Sequence, residues 1–123
     1  MILIDTDMLI EILDKHSDLG DKASKKVMAS GERFCTSAVN LHEILYGYIK
    51  RAELVDKSLL IPVLEYTKTD AILSSRLEAE IEEKSDAKLR LDSMIAAVAI
   101  NNHCKLLTNN HKDFNQFKGL EFF

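Results

Sequence analysis

Met1-Ile2-Leu3-Ile4-Asp5-Thr6-Asp7-Met8-Leu9-Ile10 opens the chain and decides its fold. Four apolar residues run without alternation into two acids, which reads as a short strand buried on both faces. Apolar residues then resume after Thr6 and Asp7, either of which is placed to cap a helix. A carboxylate such as Asp5, at the carboxyl end of a central strand, sits where open α/β sheets bind ligands.

The rest of the chain continues this alternation. After a short helix over residues 8 to about 13, a second is expected over 17–29, stopped by Ser30-Gly31 because glycine tolerates the left-handed C-terminal position. Residues 33–36 read as a second strand. Ser37 then opens a helix to about Tyr48 with an apolar stripe of Leu41, Ile44, Leu45 and Tyr48. A further helix is expected over 50–60, ended by Pro62, and a strand-like segment over 63–66. Thr67 and Asp70 match a helix start, followed by Leu73, Leu77 and Ile81, with Glu78, Glu80, Glu82 and Glu83 solvated. Residues 84–90 read as a polar loop, and Leu91 or Asp92 as the start of a helix apolar on every side. Strands are expected over 104–108 and 120–123, with a loop or helical turn at 109–115 between them. Strands alternating with helices imply parallel pairing and helices on both faces, a three-layer α/β/α fold with a small, mostly parallel twisted sheet.

The totals agree. A chain of 123 residues suits one domain, 1–123, and 46% hydrophobic with 29% charged residues is a soluble globular mix. Only 4 glycines and 1 proline argue against a sandwich of tight turns. No apolar run reaches membrane-spanning length, and the first strand begins at Met1 without a basic leader, so a cytoplasmic location is expected. Cys35 and Cys104 fit this as small buried hydrophobes rather than a metal site or redox pair. A net charge of −4 excludes coating nucleic acid through a broad basic surface, but not an enzyme with a local basic rim. Lys50, Arg51, Lys57, Lys88 and Arg90 are the candidates for that rim.

Acids recur where ligands bind. Asp5 and Asp7 follow the first strand, Glu43 lies in the helix after the second, Asp92 opens the buried helix, and Asn110 and Asp113 follow the strand at Leu106-Leu107. In a parallel sheet these positions share one edge. Several carboxylates in one cleft raise each other's pKa unless a cation compensates. Hard divalent cations take oxygen ligands, whereas no histidine pair or cysteine cluster offers zinc geometry. Metal-assisted phosphodiester hydrolysis suits such a cluster.

The same residues carry a resemblance. Ile4-Asp5-Thr6-Asp7-Met8-Leu9-Ile10 resembles the opening of PIN domains. Thr36 to Gly47, with Asn40-Leu41-His42-Glu43, resembles their second motif. Leu91-Asp92-Ser93-Met94-Ile95-Ala96-Ala97-Val98-Ala99 resembles the third. Leu107-Thr108-Asn109-Asn110-His111-Lys112-Asp113-Phe114 resembles the fourth, in the form common among VapC-type toxins. The ordered set covers essentially the whole chain. It implies a Mg²⁺- or Mn²⁺-dependent endoribonuclease that leaves a 3′-hydroxyl and a 5′-phosphate. It further implies a homodimer held by a cognate VapB-type antitoxin, with Leu54, Val55, Leu59 and Leu60 as candidate contacts. Carried over, Asp5, Glu43 and Asp92 are the metal-binding, catalytic acids. The fourth position falls to Asn110 or Asp113. Asp113 is favoured as the acid and Asn110 as its hydrogen-bonding support. Asp7 contributes from outside, and Thr6, Ser37 and Thr108 are candidates to hold water or phosphate. His42 lies beside Glu43 but points about a third of a helical turn away, and His111, in the fourth motif, is read as a solvated loop residue.

Three other readings remain open. A haloacid-dehalogenase-like phosphatase shares Asp5-Thr6-Asp7, but no adjacent acid pair follows Leu107. A phospho-receiver module has this length, but Lys105 starts its strand rather than ending it. A catalytically silent PIN-like interaction module would not need Asp5, Glu43 and Asp92 together.

Overall fold

A computed structural model describes residues 1–53, 60–81 and 86–123. Its centre is the opening stretch. Ile2–Ile4 forms β1, fully buried, with β2 (Phe34–Ser37) on one side and β4 (Lys105–Leu107) on the other. β3 (Val63–Leu64) extends the sheet beyond β2, and β5 (Glu121–Phe122) extends it beyond β4. The order is β3-β2-β1-β4-β5 and every pairing is parallel. The chain works outward from β1 to β3, then crosses back to β4. The carboxyl ends of β1 and β4 therefore flank the point where the order reverses, the usual ligand crevice of such sheets.

Alternation along β1 divides the core into two layers. Ile2 and Ile4 face a cluster with Met8, Leu9, Ala23, Val27, Ile44, Tyr48 and Leu107. Leu3 faces Cys35, Leu77, Leu89, Ile95, Val98, Leu106, Phe114 and Phe117. Helices α1 (Thr6–Ile10), α2 (Asp18–Ser30) and most of α3 (Ala38–Lys50) cover the first face. Helices α4 (Lys68–Ala79) and α5 (Ala87–Asn101) cover the second, and the short α6 (His111–Phe114) follows β4. The expected α/β/α architecture is observed.

Local chemistry sets most boundaries. Ser17, Ser37 and Thr67 each accept a backbone N–H at the start of α2, α3 and α4, and Thr67 with Asp70 completes a reciprocal capping box. Gly31 ends α2 at φ +68°, as its sequence position predicts. Past α1 the chain continues as a π-helical turn, Glu11–Lys15, that packs against α2 at Gly20. A Cβ on Gly20 would lie 2.2 Å from the Glu11 carbonyl oxygen, so the two helices meet only because that position has no side chain.

Several expectations are corrected. The first helix begins at Thr6 rather than Met8, with Asp5 in the N-cap position. The Asp5 side chain makes no cap bond, because it is turned to the groups described below. The buried helix does not begin at Leu91 or Asp92. Asp86 accepts the Leu89 N–H at 2.8 Å, and α5 is already helical from Ala87. The described part of the stretch read as a loop is thus the cap and first turn of α5, with Leu89 already buried, and Asp92 is an interior helical residue rather than a cap. The helix expected over 50–60 is not observed at its start, where Arg51 and Ala52 form a turn. Its remainder, with Leu54, Val55, Lys57 and Leu59, lies outside the described residues, as do Glu82, Glu83 and Lys84. Leu60 is 84% exposed. Cys35 and Cys104 are both free and buried, as expected, and their thiols donate to the Ile2 and Asn102 carbonyls.

Candidate active site

Every acid singled out above except Asp113 lines one cleft of about 260 Å³ at the reversal point, formed by Asp5, Thr6, Asp7, Ile10, Glu43, Lys88, Leu91, Asp92 and Asn110. β1 delivers Asp5, and the start of α1 delivers Thr6 and Asp7. The middle of α3 presents Glu43, the second turn of α5 presents Asp92, and the β4–α6 junction presents Asn110. Asp113 stands at the rim, one turn further on. Larger hollows lie elsewhere, among them an apolar one between α1 and α2, but none of them gathers these carboxylates.

Asp5 is the most constrained of these residues, 6% exposed. Its Oδ1 accepts the Asn40 amide at 2.8 Å and its Oδ2 accepts the Thr108 hydroxyl at 2.8 Å. The same Asn40 Nδ2 donates to Thr6 Oγ1 at 3.0 Å, and that hydroxyl donates to Glu43 Oε1 at 2.9 Å. Ser37 closes the chain from behind. Its hydroxyl donates to Asn40 Oδ1 at 2.6 Å while accepting the Asn40 backbone N–H. Ser37 is fully buried, and Thr108 nearly so, with Thr108 Oγ1 also accepting the Asn110 backbone N–H at 3.0 Å. Both hydroxyls face protein groups, whereas Thr6 faces the cleft. Asp7 ties two loops together, accepting the Met8 N–H at 2.7 Å and the Asn109 N–H at 3.1 Å.

Asn40 is the residue sequence reasoning missed. It is fully buried and orients both Asp5 and Thr6. A signal existed in the three-residue spacing of Ser37, Asn40 and Glu43, which sets all three on one side of α3. His42 is exposed, and His111 stacks on Phe122 with ring centres 4.7 Å apart. The basic rim is mostly engaged elsewhere. Arg51 lies over Tyr48 and bonds Glu53, and Arg90 bonds Glu78 at 3.1 Å. Among the described candidates Lys88 alone lines the cleft, and it reaches Asp113 Oδ2 at 2.5 Å.

These surroundings separate the carboxyls electrostatically. Burial, and then the Asp7 carboxylate, push Asp5 up to about 7, against the pull of the Thr108 hydroxyl. Burial pushes Asp92 up to about 6, with Lys88 pulling down and Asp113 and Glu43 pushing up. Burial also raises Glu43, opposed by its bond from Thr6. Asp113 moves the other way, because the Lys88 ammonium and then the Asn110 amide hold it below the ordinary carboxylate range.

The donor set is entirely oxygen, which suits a hard divalent cation. Asp5, Glu43 and Asp92 are all raised, by burial first and by neighbouring carboxylates second, which a bound cation would offset. Among the described residues, no three His, Cys, Asp or Glu side chains converge on a common ion position as they stand. In kind the residues fit such an ion, with Glu43 now bonded to Thr6 and Asp113 to Lys88.

The PIN domain family model matches residues 2–120. No curated protein matches the chain by sequence. Among solved structures, VapBC2 from Rickettsia felis, bound to a DNA fragment from its promoter, superposes with a TM-score of 0.76 at 21% identity, covering 100% of this chain and 98% of that one. DNA-bound VapBC from Salmonella typhimurium gives 0.75 at 23% identity, covering 100% and 98%. A toxin–antitoxin complex from Klebsiella pneumoniae gives 0.74 at 22%, covering 98% and 95%. At these identities the likeness is one of fold.

Proposed function

Because the chain belongs to the PIN domain family, whose members are nucleases, we propose that it is a divalent-metal-dependent endoribonuclease and the toxin of a VapBC-type pair. The observation that carries this reading is the meeting of Asp5, Glu43 and Asp92 in one cleft at the reversal point of the sheet. Asp5, Asp92 and Glu43, with Asp113 or Asn110 as the fourth partner, are the residues to hold Mg²⁺ or Mn²⁺. Bound there, such an ion supplies a more acidic water and offsets charge on the phosphate oxygens.

The chain's own contribution is positioning. Asn40 and Thr108 fix the Asp5 carboxylate from both sides, so its remaining lone pairs point into the cleft. Thr6 holds Glu43 close to Asp5 and is itself aligned by Asn40. The bond cleaved is an RNA phosphodiester, leaving a 3′-hydroxyl and a 5′-phosphate. The fold likeness to VapBC complexes supports a cognate VapB-type antitoxin as partner. A homodimer and a cytoplasmic place of action complete the proposal. No helix among the described residues is long and apolar enough to cross a membrane.

Incubating the purified protein with mixed RNAs, with Mg²⁺, Mn²⁺ or EDTA, tests the reading. Cleavage should need the ion and disappear in Asp5→Ala and Asp92→Ala. Cleavage that persists unchanged in EDTA or in both variants would overturn it.

A further inference from the structure

Lys88 is the only lysine or arginine lining the acid cleft among the described residues, and no resemblance assigned it a role there. It sits in the first turn of α5, one helical turn before Asp92, so the two side chains share a face. Its ammonium bonds Asp113, which also accepts the Asn110 amide at 3.0 Å. The pair is open to solvent, with Lys88 67% and Asp113 32% exposed at the side chain. A long flexible arm thus closes on the rim acid while the buried acids behind it face one another.

We infer that Lys88 is the internal counter-ion of this cleft, holding Asp113 until a divalent cation displaces it. Cation uptake is then an exchange of one positive charge for another, and Lys88 sets its threshold. The inference rests on the metal-dependent reading above. It gives Lys88 a role opposed to that of the acids: the acids favour the ion and Lys88 competes with it. Since the competing contact is an exposed ion pair, the effect is modest, about threefold in affinity.

Mn²⁺ titrated calorimetrically into metal-free wild type, Lys88→Met, Lys88→Arg and Asp92→Asn tests it. Lys88→Met should bind Mn²⁺ about threefold tighter, and Lys88→Arg, which keeps the charge, should bind as wild type does. Circular dichroism confirms that each variant is folded, which the exposure of Lys88 favours. Unchanged or weaker binding by Lys88→Met overturns the inference while leaving the metal site intact. Equally tight binding by Lys88→Arg and Lys88→Met also overturns it, because the effect would then not be one of charge. Loss of binding in Asp92→Asn ties the signal to the cleft. A wild type that binds no Mn²⁺, or binds it equally well without Asp92, overturns the inference together with the reading it rests on.

Discussion

Metal-free protein should lose stability as the pH rises from about 5 to about 7, the reverse of ordinary acid denaturation. The perturbed group is Asp5, 6% exposed, whose carboxyl rises from an ordinary 3.8 to about 7. Across that interval the folded chain keeps a proton that the unfolded chain has already released. The stability linked to that proton is complete below the unfolded value and disappears as the pH passes through the folded one. The full shift is worth about 4 kcal/mol, of which about 2 kcal/mol falls between about pH 5 and pH 7. For a chain of this size that is a fall in Tm of roughly 8 °C. Asp92 and Glu43, also raised, act in the same direction. Glu11, Glu32 and Asp113 are lowered instead, and their stability is lost only at more acidic pH, so they do not mask the effect. Thermal melts in EDTA of wild type and Asp5→Asn check this. Asp5→Asn should lose most of the slope, and Mg²⁺ at neutral pH should restore the wild-type Tm. A wild-type Tm that is flat or rising across the window, or an Asp5→Asn slope equal to it, refutes the reasoning.

Two further outcomes follow from packing and hydrogen bonding. Gly20→Ala should cost about 1–3 kcal/mol in urea unfolding, because its Cβ meets the Glu11 carbonyl at 2.2 Å and the helix pair must separate. Asn40→Ala removes a donor from Asp5 and from Thr6 and leaves the Ser37 hydroxyl without its acceptor. It should cost about 1–3 kcal/mol and raise the Asp5 pKa further, read by carbon NMR titration of the carboxyl.

Local signals carried the fold well. The unbroken apolar run of Ile2–Ile4 needed no tertiary information to read as a buried strand, and Thr67 with Asp70 announced the start of α4. The start of α5 was misread because its first turn, Ala87 to Arg90, carries two exposed cations and only one buried apolar residue, Leu89, so periodicity located only the continuous apolar part. The acids of the cleft were found by their places after strands. Asn40 was given no place there, because an asparagine is assigned to the surface until three distant elements close over it, and Lys88 was named for the rim but not for its bond to Asp113. A lysine's partner 25 positions away leaves no trace in local pattern.

The paired oxygens of Asp7 have a consequence for when the cleft comes into being. One accepts the next residue's N–H; the other accepts that of Asn109, 102 positions away, and Thr108 reaches Asp5 across 103. These are among the most non-local contacts in the chain, of the kind that form late. Before β4 docks, Asn40 and the Met8 N–H can each hold one oxygen of Asp5 and of Asp7, but the second oxygen of each carboxylate has no donor. The setting of both acids is thus begun by local neighbours and completed only when β4 takes its place beside β1.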